Sequence, residues 1–156
     1  MAVGCYKAPT EQHEISVAYL NLGSGSTFFH NGKTVFHAAS TMKTPVMFQL
    51  YYMHDEGELS LEDSLVVRNE FKSIVDGTPF SIPLDEDEDK TLIENVGNNM
   101  TIRDLIEAMI TTSSNLATNI LIELADPEAV MSTLKEVGAE GVSVIRGVED
   151  LKAFDQ

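Results

Sequence analysis

Ser40 and Lys43 stand three residues apart at the head of an apolar-periodic segment, a spacing that puts a hydroxyl and an amine on one helix face. A serine hydroxyl is a poor nucleophile until a neighbouring base takes its proton. A lysine can be that base when burial or nearby positive charge lowers its pKa. Farther along, Ser113-Ser114-Asn115 offers a second hydroxyl and a side-chain amide just before another apolar run. The chemistry these types and spacings describe is acyl transfer: one serine to be acylated, a lysine to move its proton, polar groups to hold the acylating molecule. S-x-x-K, S-D-N and K-T-G together form a three-part signature of such sites. The first part is present, the second carries Ser114 in place of aspartate, and the third is missing. Lys33, Lys43 and Lys90 precede Thr34-Val35, Thr44-Pro45 and Thr91-Leu92, never Thr-Gly or Ser-Gly.

The elements that must position these groups change character near residue 38. Ile15 to Leu22 is β-rich and partly alternating, Gly23-Ser24-Gly25-Ser26 reverses the chain, and Thr27 to His30 returns. Asn31-Gly32 is a second turn, with Lys33 to Phe36 predicted to continue extended. From Ala39 to Glu56, Met42, Val46, Met47, Leu50 and Met53 recur at helical spacing until Gly57. Pro45 should loosen the first turn, because it lacks an N–H and crowds the carbonyl of Thr41. Ser60 with Asp63 predicts a cap before a short helix. Thr101 with Asp104 caps a helix from Ile102 to about Thr111, with Leu105, Ile106, Met109 and Ile110 on its buried side. Leu116 to Ala125 is apolar enough to be central. Asp126-Pro127 opens a further helix that Gly138 ends. Between Phe71 and Asn99 the pattern is irregular, and its run Asp85-Glu86-Asp87-Glu88-Asp89 is expected to be a solvated loop. A calcium loop there would need glycine where Lys90 stands.

Bulk properties exclude several partners. The 156 residues carry 25 acidic against 10 basic side chains, a formal charge of −15. Nucleic acid and anionic membrane surfaces reward clustered Lys and Arg, so neither is expected as a partner. No apolar run approaches the ~18 residues of a membrane span. The single cysteine, Cys5, rules out an internal disulfide or a multi-cysteine metal site, and is expected to be an exposed thiol on a frayed terminus. His13, His30 and His54 lack metal-ligand spacing, so neither a metal nor a cofactor is expected. His37 precedes Ser40 by three residues, but residue order alone makes no Ser-His-Asp arrangement. Gly32-Lys33-Thr34 imitates the end of a phosphate loop, with Thr27 where the first glycine belongs.

Phe36 to Lys43, Met109 to Asn119 and Ile145-Arg146-Gly147-Val148-Glu149-Asp150 together resemble the class A β-lactamase-related serine hydrolases, a likeness that runs from Ile15 to the end of the chain. The resemblance implies an α/β (α+β) fold of the β-lactamase/transpeptidase type: an antiparallel hairpin of a sheet beside an all-helical region, with the site in the cleft between. It divides the chain into a tail or helix over 1–14, first strands over 15–37, a helical region over 38–145 and the start of an omega-like loop over 146–156. The remaining sheet strands and the K-T-G segment are expected to be absent, as in an N-terminal portion of a larger enzyme.

Roles follow from the resemblance residue by residue. Ser40 would be the acylated nucleophile and Lys43 its proton partner. Ser113 would pass a proton toward the leaving nitrogen, and Asn115 would bind the substrate amide and help hold Lys43. Glu149, 34 residues after Asn115, stands where such enzymes place the glutamate that activates the deacylating water. Its surroundings depart from the usual loop, no asparagine follows shortly after it, and an Arg146–Glu149 structural pair is the alternative. The implied substrate is a β-lactam or an acyl-D-Ala-type peptide. Without a working Glu149 the acyl-enzyme would persist, as in a penicillin-binding protein. An unprotected edge at Ile15 to Leu22 is expected to favour self-association or pairing with a complementary C-terminal chain. The resemblance implies a secreted or periplasmic setting, although no charged and apolar leader precedes Ala2-Val3-Gly4-Cys5; the compartment stays open.

Overall fold

The computed structural model describes residues 14–87, 89–139 and 141–153. The expectations for Cys5, His13 and the tail up to residue 13 therefore fall outside the described residues. The chain divides into two compact units, Met1–His37 and Ala38–Gln156.

In the first unit, β1 (Val17–Leu20) pairs antiparallel with β2 (Thr27–His30), Val17 opposite His30 and Leu20 opposite Thr27. The Asn21 side chain builds the reversal by accepting from the Gly23 and Ser24 N–H groups at 2.9 Å each. Lys33 to Phe36 forms no strand, contrary to the extended continuation expected from its composition. Asn31, at φ 50°, turns the chain there, and its carbonyl accepts from Thr34 N.

The second unit is a helical cluster with two small antiparallel pairs. Its elements are α1 (Lys43–Asp55), β3 (Ser64–Val66), β4 (Phe71–Lys72), β5 (Pro79–Phe80), α2 (Lys90–Glu94), β6 (Asn99–Thr101), α3 (Ile102–Thr111), α4 (Asn115–Ala125) and α5 (Pro127–Glu136). β3 pairs with β6 and β4 with β5. Helix α4 packs against α1, α3 and α5. Its side chains from Leu116 to Ile122 are all buried, Thr118 and Asn119 among them, which makes it the central helix of the unit. Val46 and Leu50 of α1, Leu105 and Met109 of α3, and Val130 of α5 complete the core around it. Thr101 Oγ1 accepts from Asp104 N at 3.1 Å, capping α3, and Asp126 caps α5 with Pro127 in its first turn.

Three local expectations are corrected. Ser60 and Asp63 close a turn instead of capping a helix: Asp63 Oδ2 accepts from Ser60 N, and the chain passes directly into β3. Ile110 is 40% exposed, so the buried stripe of α3 ends at Met109. The acidic run is not wholly solvated. Asp87 is buried, and Asp89 caps α2 by accepting from Leu92 N at 2.9 Å. Among the described residues no helix is long and apolar enough to cross a membrane.

Candidate active site

Ser40 lies in a 3-10 turn over Ala39–Met42, and the α-helical ladder starts only at Lys43. Pro45 accounts for the delay, since it offers no N–H to the carbonyl of Thr41. The turn leaves Ser40 exposed and sends Lys43 inward, where it is 2% exposed.

The Lys43 ammonium meets three acceptors: Ser113 O at 2.5 Å, Ser113 Oγ at 3.0 Å and Asn115 Oδ1 at 3.0 Å. Three donors on three acceptors is the full capacity of the charged amine. The direct i, i+3 contact expected from spacing is replaced by a bridge. Ser113 Oγ lies 3.1 Å from Ser40 Oγ, so Lys43 and Ser40 are joined through the second serine. Burial holds Lys43 below its ordinary pKa of 10.5, and the Asp87 carboxylate opposes that shift.

Backbone geometry explains how Ser113 can present both its oxygens. Just past the end of α3, Ser113 sits at φ 61°, and Ser114 N donates back to Ala108 O at 3.1 Å. This left-handed turn brings the carbonyl and hydroxyl of Ser113 onto the same amine. Among the described residues five non-glycine positions have positive φ, and three of them, Ala39 beside Ser40, Ser113 and Glu149, belong to or adjoin the predicted site. Each costs about 1–3 kcal/mol, strain that tends to collect where geometry is functional. Ser114, fully buried, caps α4 by accepting from Ala117 N at 3.1 Å.

Glu149 reaches the same region from the other end of the chain. It lines a cavity of about 10 Å³ with Asn115, Asp87, Glu86, Ile82 and Pro83. That is close to the smallest space able to hold one water. Its loop is pinned on both sides. Asn119, also on α4, donates to Val148 O at 2.9 Å and accepts from Val148 N at 2.7 Å. Gly147 leaves room for this clamp, because a methyl group there would overlap Asn119 Oδ1 and lie 3.1 Å from its Cγ. Asp150, buried, accepts from Ser73 Oγ at 2.9 Å and Ile74 N at 2.9 Å. Lys152 donates to Asp76 Oδ2 at 2.7 Å and Thr78 Oγ1 at 2.7 Å, which holds Asp76 well below its ordinary range, at about 2. Arg146 Nη1 donates to Gly147 O at 3.2 Å.

Ser40, Lys43, Ser113 and Asn115 are thus linked by hydrogen bonds, and Glu149 shares a cavity wall with Asn115. Asp87, Asn119 and Asp150 were not anticipated. Asp87 lay hidden in an acidic run, and the one signal for it was the aspartate missing at position 114. Among the described residues no three His, Cys, Asp or Glu side chains are grouped to hold a metal ion.

A family model described as the β-lactamase enzyme family matches residues 6–156. A β-lactamase from Rhodobacter capsulatus is 35% identical over 125 residues, spanning 80% of this chain and 38% of that protein. The Pseudomonas aeruginosa β-lactamase CARB-4 is 27% identical over 125 residues, 80% of this chain and 39% of its own length. Among solved structures, a β-lactamase from Sphaerobacter thermophilus DSM 20745 superposes with a TM-score of 0.67 at 30% identity, covering 86% of this chain and 46% of that one. An ancestral class A β-lactamase superposes at 0.69 with 26% identity, covering 87% and 48%. PBP-A does so at 0.69 with 25% identity, covering 88% and 48%. The chain spans about two fifths of these curated relatives and about half of these solved chains.

Proposed function

The chain belongs to the β-lactamase enzyme family and shares the class A fold; from that premise we propose that Ser40 is the nucleophile acylated by a β-lactam. The observation that carries this is the chain of hydrogen bonds from buried Lys43 through Ser113 Oγ to Ser40 Oγ. When the amine is neutral, one of its three contacts can reverse: Lys43 Nζ accepts from Ser113, and Ser113 accepts from Ser40. Ser40 Oγ then attacks the lactam carbonyl as its proton moves through Ser113 to Lys43. Collapse of the tetrahedral adduct breaks the C–N bond, and Ser113 returns the proton to the departing nitrogen. The product is an ester on Ser40. In this reading Asn115 holds the acyl side-chain amide, and its Oδ1, which accepts from Lys43, keeps the amine in position.

Hydrolysis of the ester needs a water and a base. We assign that base to Glu149; its place in the lining of a small cavity with Asn115 supports the reading. A second reading is acylation without turnover, as in penicillin-binding proteins or D-alanyl peptidases. The lack of an asparagine shortly after Glu149 favours it.

Incubation of the chain with a penicillin, followed by intact mass measurement beside Ser40→Ala, tests the reading. The expected result is an adduct of one penicillin mass that the variant does not form. A folded chain that gains no mass refutes it. Decay of the adduct over time separates turnover from capture, and labelling that rises with protein concentration reports pairing with a second copy.

A further inference from the structure

Asp87 is 4% exposed, a buried carboxylate within a stretch whose neighbours Asp85 and Glu86 face solvent. Its Oδ2 accepts from Ser114 Oγ at 3.1 Å and from Leu116 N at 2.8 Å, and its Oδ1 accepts from Asp89 N at 3.0 Å. A buried carboxylate without such donors would be strongly unfavourable; with three, two of them backbone N–H groups, its oxygens are satisfied. Its two bonds to the second motif straddle Asn115, one on the residue before it and one on the residue after. Asn115 and Ser113 are the residues that hold the Lys43 amine.

The position between that serine and asparagine ordinarily carries the motif's aspartate. Here it carries Ser114, which can donate to an anion but cannot be one. The anion comes instead from a different segment and meets the same peptide. We propose that Asp87 is a positioning residue that supplies from outside the motif the carboxylate lost at position 114, fixing Ser113 and Asn115 around Lys43. This rests on the assignment of Ser40 and Lys43 as the reacting pair. Asp87 also acts on Lys43 through its charge, favouring the protonated amine. The other described carboxylates bordering the motif are Glu86 and Glu149, which line its cavity, and Asp89, which accepts from Thr112. The charged residues of α3, α4 and α5, from Arg103 to Glu136, are exposed.

Two variants of the full chain test the proposal: Asp87→Asn, and the exchange Asp87→Ser with Ser114→Asp. Each is examined by penicillin labelling of Ser40 across pH and by NMR titration of the Lys43 side chain. Asp87→Asn is expected to slow labelling by about ten- to a hundred-fold, the effect of a misplaced reacting group. It is also expected to move the Lys43 titration to lower pH, since the charge that favours the ammonium is gone. A residue that merely stabilised the fold would leave that titration in place. The exchange variant is expected to recover both the rate and the midpoint. Wild-type labelling with an unchanged Lys43 midpoint in Asp87→Asn would overturn the proposal. So would an exchange variant that does no better than Asp87→Asn or does not fold, because the two positions would then not be interchangeable. If the unaltered chain is not labelled, the acylation reading fails by itself, and the Lys43 titrations of the three proteins decide the role of Asp87.

Discussion

Alanine at Gly147 would test whether the clamp on the Glu149 loop is built as described. The added methyl would occupy the space of Asn119 Oδ1, which accepts from Val148 N at 2.7 Å, while Nδ2 of the same amide donates to Val148 O at 2.9 Å. Asn119 is 2% exposed and has little room to retreat, so both bonds should be lost. At about 1 kcal/mol net for each bond the loss is about 2 kcal/mol. Replacing glycine at a backbone conformation open to alanine returns about 0.4–1 kcal/mol through the unfolded state. The net expectation is a destabilisation of about 1–1.5 kcal/mol, or a melting temperature lower by roughly 2–6 °C for a chain of this size. In an Asn119→Ala background the obstruction is gone, and the same substitution should stabilise by about 0.4–1 kcal/mol. Urea unfolding of the four proteins in this cycle measures the reversal of sign. Equal effects of Gly147→Ala in the two backgrounds would refute the clamp.

Glu149→Gln should leave the rate of Ser40 labelling unchanged while lengthening the life of the adduct at least about a hundred-fold, as loss of a general base does; an unchanged lifetime by intact mass would remove Glu149 from deacylation. If the neutral Lys43 amine is the proton acceptor, as proposed, labelling should accelerate with pH to a midpoint below 10.5. The same depressed value affects stability: between the folded pKa and 10.5 the unfolded chain binds the extra proton, so stability should rise with pH across that window. Lys43→Met should flatten that rise in urea unfolding, and an undiminished slope would assign it elsewhere. Thr101→Ala should cost about 1 kcal/mol by removing the cap of α3, whereas Arg103→Ala, two residues on and paired to Glu62 in solvent, should leave the melting temperature where it is.

Helix positions were legible because caps and apolar spacing are local. Thr101, Asp126 and the run from Leu116 to Ala125 marked α3, α4 and α5 without reference to anything distant. The site was legible in its residue types and less so in its connections. Spacing alone put Lys43 against Ser40, but an α-helical first turn cannot form across Pro45, and Ser113 turned out to be the bridge. Asp87 escaped notice because an acidic run ordinarily faces water. What reverses that here is the donor set at the start of α4, gathered from residues 27 and 29 positions away in sequence. The irregular stretch after Phe71 hid β4, β5 and α2, which are two to five residues long and too short for periodicity to register.

Asn115 and Asn119 occupy successive turns of α4, one contacting Lys43 and the other the loop that carries Glu149. Four helical residues advance about 6 Å along the axis. The helix therefore serves as a ruler between Lys43 and the loop that carries Glu149, the two groups to which acylation and deacylation are proposed to belong. If α4 drifts as a rigid rod within the bundle, both ends of the ruler move together and their separation is preserved. Such a frame tolerates thermal motion and substitution at remote contacts far better than two loops anchored independently. It is correspondingly intolerant of a single inserted residue between positions 115 and 119, which would rotate one amide by roughly 100° from its partner.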